Sequence, residues 1–216
     1  MKESLRSTLI WAGVSFLIVF SVIGMMWLSE KASPSGVEST IRPEMTQISA
    51  SDRTRGPESA KVTVVEYSDF ECPACAAAAP IIKNLLSNYG DSVRFVYRHF
   101  PLPSHKNSEA AAYAAEAAGE QGKFFEMHDI LFEKQAEWKT EGDPAVKFKE
   151  YAGLLGLDLN KFAEDMNSGK IKSKVSGDKA TAFSARINAT PTFFVNGRTI
   201  VGINPEKIKN EIEGVK

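Results

Sequence analysis

The pentapeptide Glu71-Cys72-Pro73-Ala74-Cys75 holds the only two cysteines of the chain. Two thiols three positions apart open three chemistries. They can close a small structural disulfide, supply half of a zinc site, or cycle between dithiol and disulfide. Structural zinc takes four ligands. The three histidines, His99, His105 and His128, form no H-x₃₋₅-H pair, and there is no second C-x-x-C. A staple this short removes little entropy from the unfolded chain. Reversible thiol exchange fits the position of the pair better than either.

That position follows from the elements around it. KVTVVEY (61–67) is a β-branched, apolar run of the kind found in a buried central strand. A helix is predicted to begin at about Pro73, because proline suits a first helical turn. Ile81, Ile82, Leu85, Leu86 and Tyr89 give it an apolar stripe. Pro80 is expected to kink it and Gly90 to end it. Cys72 therefore sits at a helix N-terminus, where unpaired N–H groups and the positive end of the helix dipole stabilise a thiolate. Cys75, one turn further in, is placed to point inward as the resolving thiol.

Two other residues bear on the pair. Glu66 lies on a strand otherwise apolar at Val62, Val64 and Val65. Buried beside Cys75, its carboxyl would have a raised pKa and could exchange a proton with that thiol. A wet strand end would leave it an ordinary surface acid. Thr190-Pro191-Thr192 precedes the second apolar block. X-Pro bonds in folded proteins are cis in only about 5–6% of cases, so the residues by themselves predict a trans bond here.

VRFVYRHF (93–100) reads as a second strand. A helical block follows: an Ala-rich helix over 109–118 explained by close packing, a second over 123–135, a third opening at Asp143-Pro144 and running to Leu155, a fourth from Asp158 and a fifth over 170–186. Thr192–Val195 and Arg198–Val201 are short apolar runs joined by Asn196-Gly197, a type I′ hairpin signal. Pro205–Glu213 closes with a helix. Phe193 and Phe194 are read as core and groove lining. His99 and His105, flanking the loop after the second strand, are read as packing or surface residues.

The chain has 26 basic and 27 acidic residues, so it carries no general signature of nucleic-acid binding. Leu9 to Leu28 is free of ionisable side chains and long enough to cross a ~30 Å hydrocarbon core. Lys2 and Arg6 precede it and Trp11 and Trp27 lie near its ends, which favours a signal anchor with the N-terminus inside. A cleaved signal peptide, releasing the domain, is the alternative. It would have a shorter apolar core and a small-x-small site, and SEKASPSG matches that poorly. The polar segment over 29–58 reads as an extended linker.

Three stretches, VVEYSDFECPAC, YRHFPLPSHKNSEAAAYAAEAAGEQGKFFEMHDILF and INATPTFFVNGR, resemble the DsbA-like thiol–disulfide oxidoreductases of the thioredoxin superfamily. The resemblance covers roughly residues 60–214. It implies an α/β thioredoxin fold over 59–100 and 188–216 with a helical domain inserted at 101–187, preceded in this chain by the transmembrane helix read within residues 1–28. It implies that Cys72 is the nucleophile and Cys75 the resolving cysteine, that Thr190–Pro191 is cis and packs on the pair, and that Glu66 lies beneath it. Pro73, Ala74, Thr190 and Thr192 are then expected to border the substrate groove. No cofactor beyond the Cys72–Cys75 disulfide and no metal is expected. The strongly oxidising enteric members carry histidine where this chain has Ala74. A less depressed Cys72 pKa and a less oxidising couple are therefore expected here, with Glu71 acting in the same direction by repulsion.

The implied activity is oxidation of unfolded or reduced exported proteins by a monomeric, extracytoplasmic domain. A membrane quinone oxidoreductase of the DsbB or VKOR type would then reoxidise it. A reductase or isomerase using the same chemistry, or a peptide-binding or chaperone module without redox turnover, are the alternatives. The isomerases are dimers built on an N-terminal domain, for which the polar 29–57 segment offers too little apolar surface.

Overall fold

A computed structural model of the chain describes residues 41–214. The apolar 9–28 run and the 29–40 part of the polar segment lie outside the described residues. Among the described residues, no helix is long and apolar enough to cross a membrane.

The centre of the sheet is β2 (Val62–Ser68), which pairs in parallel with β3 (Val93–His99). Parallel neighbours need a crossover, and α1 (Pro73–Ser87) supplies it. Strand β4 (Thr192–Val195) lies antiparallel on the other side of β2, and β5 (Arg198–Val201) pairs antiparallel with β4. The hairpin turn has Asn196 at φ 46° and Gly197 at φ 88°, the two positive φ values that a type I′ turn requires. A short strand β1 (Arg53–Arg55) completes the sheet antiparallel to β3, in the order β1-β3-β2-β4-β5.

Both faces of β2 are covered. Val62 and Val64 share one apolar cluster with Phe95, Tyr97, Phe193 and Ile82; Val65 and Tyr67 share a second with Val96, Phe100 and Phe194. This is why the strand reads as a continuous apolar run rather than an alternating one. Phe193 and Phe194 are fully buried, one in each cluster, and are core residues.

Between β3 and β4 the chain makes α2 (Ser108–Gly119), α3 (Phe124–Glu133), α4 (Gln135–Trp138), α5 (Ala145–Leu154), α6 (Leu159–Asn167) and α7 (Gly169–Ser184); α8 (Pro205–Glu213) follows the hairpin. Ala111, Ala114, Ala115 and Ala118 of α2 are all fully buried, so small side chains let neighbouring helices approach closely. The side chain of Asp158 caps α6 by accepting from the N–H groups of Asn160 and Lys161. α1 runs through Pro80 as one helix. The single helix expected over 123–135 instead breaks at Lys134, and the short α4 turns the fully buried Trp138 into the core. Its indole N–H donates to Leu131 O at 2.9 Å.

The extended-linker reading is corrected over 41–58. Residues Pro43–Thr46 form a 3₁₀ turn that buries Met45 in the second cluster, and β1 lies within the same stretch. Arg98 binds this segment to the sheet. It donates to Asp52 Oδ1 at 3.0 Å and Oδ2 at 2.9 Å, to Gln47 O at 2.6 Å, to Met45 O at 3.2 Å and to the Tyr67 hydroxyl at 3.0 Å. Arg53 of β1 reaches Glu116 of α2 at 2.8 Å. A segment with few apolar residues is ordered here by backbone pairing and a buried ion pair, neither of which shows in hydropathy.

Candidate redox site

β2 ends at Ser68, and the chain turns through Asp69-Phe70-Glu71 to Cys72, the N-cap of α1, with Pro73 in the first helical position. The Cys72 N–H donates to Asp69 O at 3.1 Å, and Cys72 O accepts from the Ala76 N–H at 3.1 Å. Both cysteines are free thiols. Cys72 is 7% exposed and Cys75 fully buried. Pro73 and Ala74 between them are exposed at the surface.

The Thr190–Pro191 bond is cis, against the trans form expected from the residues alone and in the geometry that the family resemblance implied. The Cys72 Sγ lies 3.6 Å from Thr190 O. Thr190 Oγ1 is buried with no other partner, a hydroxyl available to a thiolate. Pro191 is buried, and Thr192, also buried, donates its hydroxyl to Ala189 O at 2.7 Å. Thr192 therefore braces the turn from within.

The two thiols are driven apart in acidity. A hydrogen bond from the Cys75 thiol lowers the Cys72 pKa to about 5; burial opposes this, and the Thr190 hydroxyl and the backbone N–H groups of Cys75 and Ala74 support it. Position 74 thus acts through its backbone, where its methyl side chain offers nothing. Burial raises the Cys75 thiol far above its ordinary value, with the charges of Cys72 and Glu66 acting in the same direction. The Glu71 carboxylate accepts the Asn107 N–H through Oε2 at 2.6 Å.

Glu66 is 2% exposed, so the wet-strand-end alternative does not hold. Burial raises its carboxyl pKa to about 7, moderated by the Ser68 hydroxyl. Glu66 Oε1 and Ser68 Oγ have no partner at normal hydrogen-bond distance, and neither does the buried hydroxyl of Tyr97, whose Cα pairs with that of Glu66 across β2 and β3. A carboxyl with an oxygen left without a donor in a dry site favours its neutral form.

Asp69 is the residue that sequence reasoning missed. Its fully buried carboxylate accepts from the N–H groups of Glu71 and Leu102, each at 2.8 Å, from His105 Nδ1 at 2.7 Å, and from the Ser108 hydroxyl. It ties the Cys72 loop to the loop after β3 and to the start of α2. An acidic residue directly after a buried strand was the available signal. His105 thereby belongs to the site's frame. His99 is buried and bonded through Nε2 to Glu116 at 2.9 Å, and His128 lies in α3 with Nδ1 2.9 Å from Asp129. Among the described residues, no three His, Cys, Asp or Glu side chains are grouped to hold a metal ion.

Residues 49–214 match the family model described as Thioredoxin. The chain belongs to the thioredoxin family. A thioredoxin-like oxidoreductase from Silicibacter pomeroyi DSS-3 superposes with a TM-score of 0.66 at 27% identity, covering 77% of this chain and 92% of that one. α-DsbA1 from Wolbachia pipientis, at 23% identity, shares the fold with a TM-score of 0.69 over 80% of this chain and 94% of its own. Among curated proteins, a segment of the Na(+)/H(+) antiporter NhaA 3 of Salinispora tropica is 47% identical over 148 residues, 68% of this chain but 22% of that protein. The chain spans between 22% and 30% of the length of the curated relatives it matches first. This thioredoxin-family chain combines a helical insertion between β3 and β4 with a cis-proline and a cysteine pair at a helix start.

Proposed function

We propose that this chain is an extracytoplasmic dithiol oxidase that introduces disulfides into unfolded or reduced exported proteins, held at the membrane by its 9–28 segment. The observation that carries the reading is the split between the thiols, with Cys72 lowered to about 5 and Cys75 raised. A substrate thiolate attacks Cys72 Sγ of the Cys72–Cys75 disulfide, and the electron pair of the broken S–S bond leaves on Cys75. Cys75 takes up a proton, for which Glu66, with its pKa at about 7, is the adjacent donor. A second substrate thiolate then attacks the substrate sulfur of the mixed disulfide. Cys72 departs as a thiolate, and the substrate leaves with a disulfide. A stabilised leaving thiolate favours this direction, because it favours the reduced enzyme.

Pro73 and Ala74, exposed beside Cys72, together with Thr190 on the cis-proline turn, border the groove in which the substrate would lie; Thr192, expected there from the sequence, is buried beneath the turn instead. Reoxidation is assigned to a membrane quinone oxidoreductase of the DsbB or VKOR type, and the chain is taken to work as a monomer.

The test is equilibration of a soluble fragment over residues 39–216 against glutathione buffers, with an assay of reduced-protein oxidation beside it. An oxidase is expected to sit well above the thioredoxin couple of about −270 mV and to form disulfides in the substrate. A couple near that value, with no substrate oxidation, reassigns the chain as a reductase. Cys72→Ser is expected to abolish turnover; retained activity would mark a binding module. Fractionation of intact cells tests the anchor against cleavage and release.

A further inference from the structure

Cys72 is held from the inserted helices as well as from the sheet. The side-chain amide of Gln135, at the first position of α4, donates from Nε2 to Phe70 O at 2.7 Å and to Cys72 O at 3.0 Å. An amide nitrogen carries two hydrogens, so both are spent on the two carbonyls that flank Glu71. Gln135 is 6% exposed, and the turn that carries it is anchored by the buried Trp138. Asn107 fastens the same region from the other end. Its Nδ2 donates to Lys139 O at 3.1 Å and Glu141 O at 3.0 Å, while its backbone N–H holds the Glu71 carboxylate. Two donors therefore converge on the Cys72 carbonyl: Ala76 N–H from α1, and Gln135 from the insertion.

We propose that Gln135 is a positioning residue for Cys72: by clamping the Phe70 and Cys72 carbonyls it aims the Ala74 and Cys75 N–H groups and the Cys75 thiol at the Cys72 sulfur, and so lets the inserted helices set the redox balance of the pair. The proposal rests on the redox reading of Cys72 given above. Hydrogen bonds weaken steeply as they leave line. Apart from the Thr190 hydroxyl, the donors to a Cys72 thiolate belong to the first turn of α1, and the direction of that turn depends on the Cys72 peptide that Gln135 grips. Release of the clamp weakens these bonds. A less stabilised thiolate means a higher Cys72 pKa and a less oxidising couple, since the reduced form loses support. A merely structural contact would lower stability and leave both quantities where they were.

The experiment uses the full chain with Gln135→Met, which keeps the length and apolar volume of the side chain and removes both donors. Thiolate absorbance titration of Cys72 and the glutathione equilibrium constant are read on the same samples. We expect the Cys72 acid constant and the equilibrium constant both to shift roughly three- to tenfold toward the weaker oxidant, the range that losing about one hydrogen bond produces. Gln135→Asn, whose amide falls one methylene short of both carbonyls, is expected to shift them the same way and serves if the first variant does not fold. Variants that fold with both constants unchanged overturn the proposal, even if they melt earlier. A wild-type chain that fails to exchange with glutathione overturns the redox reading as well; a wild type that exchanges with the same constants as the variants overturns only the role of Gln135.

Discussion

Cys72 and Cys75 are chemically identical residues made unlike by their surroundings. One sits where a helix offers unpaired N–H groups; the other is sealed under it against a carboxyl. Glu66 is the residue through which this can be tested. Its carboxyl titrates at about 7 when folded, against 4.5 as the ordinary value. Between those limits the folded state holds a proton that the unfolded state has lost. Stability therefore falls as pH rises through that window, and the full cost is present above it. The shift corresponds to about 3 kcal/mol at most. Glu66→Gln, which cannot ionise, is expected to be more stable than wild type above pH 7 and similar below pH 4.5, read from urea midpoints at the two ends. The same variant should slow the protonation of Cys75 and remove the inflection near pH 7 from the exchange rate. An unaltered pH profile would take Glu66 out of the proton transfer.

The strand–loop–helix unit decides whether those residues meet. β2, α1 and the hairpin were legible in the sequence because each carries its own local signal: a β-branched run, a proline at a helix start, an Asn-Gly turn. The loop that joins them was not, since its order comes from Asp69 reaching across to Leu102, His105 and Ser108. Such contacts are distant in sequence and leave no periodic mark. Asp69→Asn replaces an acceptor of four donors by a side chain that must itself donate. We expect it to cost about 2–4 kcal/mol and to speed amide hydrogen exchange at Glu71 and Leu102 while the outer helices stay protected. Unchanged protection at those two amides would contradict the role given to Asp69. The break at Lys134 belongs to the same class, because packing of Trp138 rather than local propensity sets it.

At the scale of the whole molecule, the N-terminal segment of the described fold changes where the domain begins. A fragment starting at residue 58 would lose β1, the packing of Met45 and the acidic partner of the buried Arg98. Removing one partner from a buried ion pair costs several kcal/mol. The fragment over 58–216 is expected to be less stable than that over 39–216 by more than about 3 kcal/mol, measured by urea unfolding. Equal midpoints would return 41–57 to the status of a linker. Arg98→Met, which fills the space without the charge, should recover part of the loss in the shorter fragment, since Asp52 is no longer there to be stranded.

The strand–helix–strand start from residue 61, the helical block after it, the closing hairpin and helix, and the cysteine pair were determined by the sequence alone, because hydropathy period, turn residues and motif spacing are local properties of the chain. The state of the Thr190–Pro191 bond, the burial of Glu66, the order of residues 41–57 and the grip of Gln135 on Cys72 were decided only in the tertiary structure. Each of these depends on groups brought together from distant parts of the chain. What they share is the removal of water: a carboxyl, a thiol or a carbonyl takes its character from the partners left to it once solvent is gone.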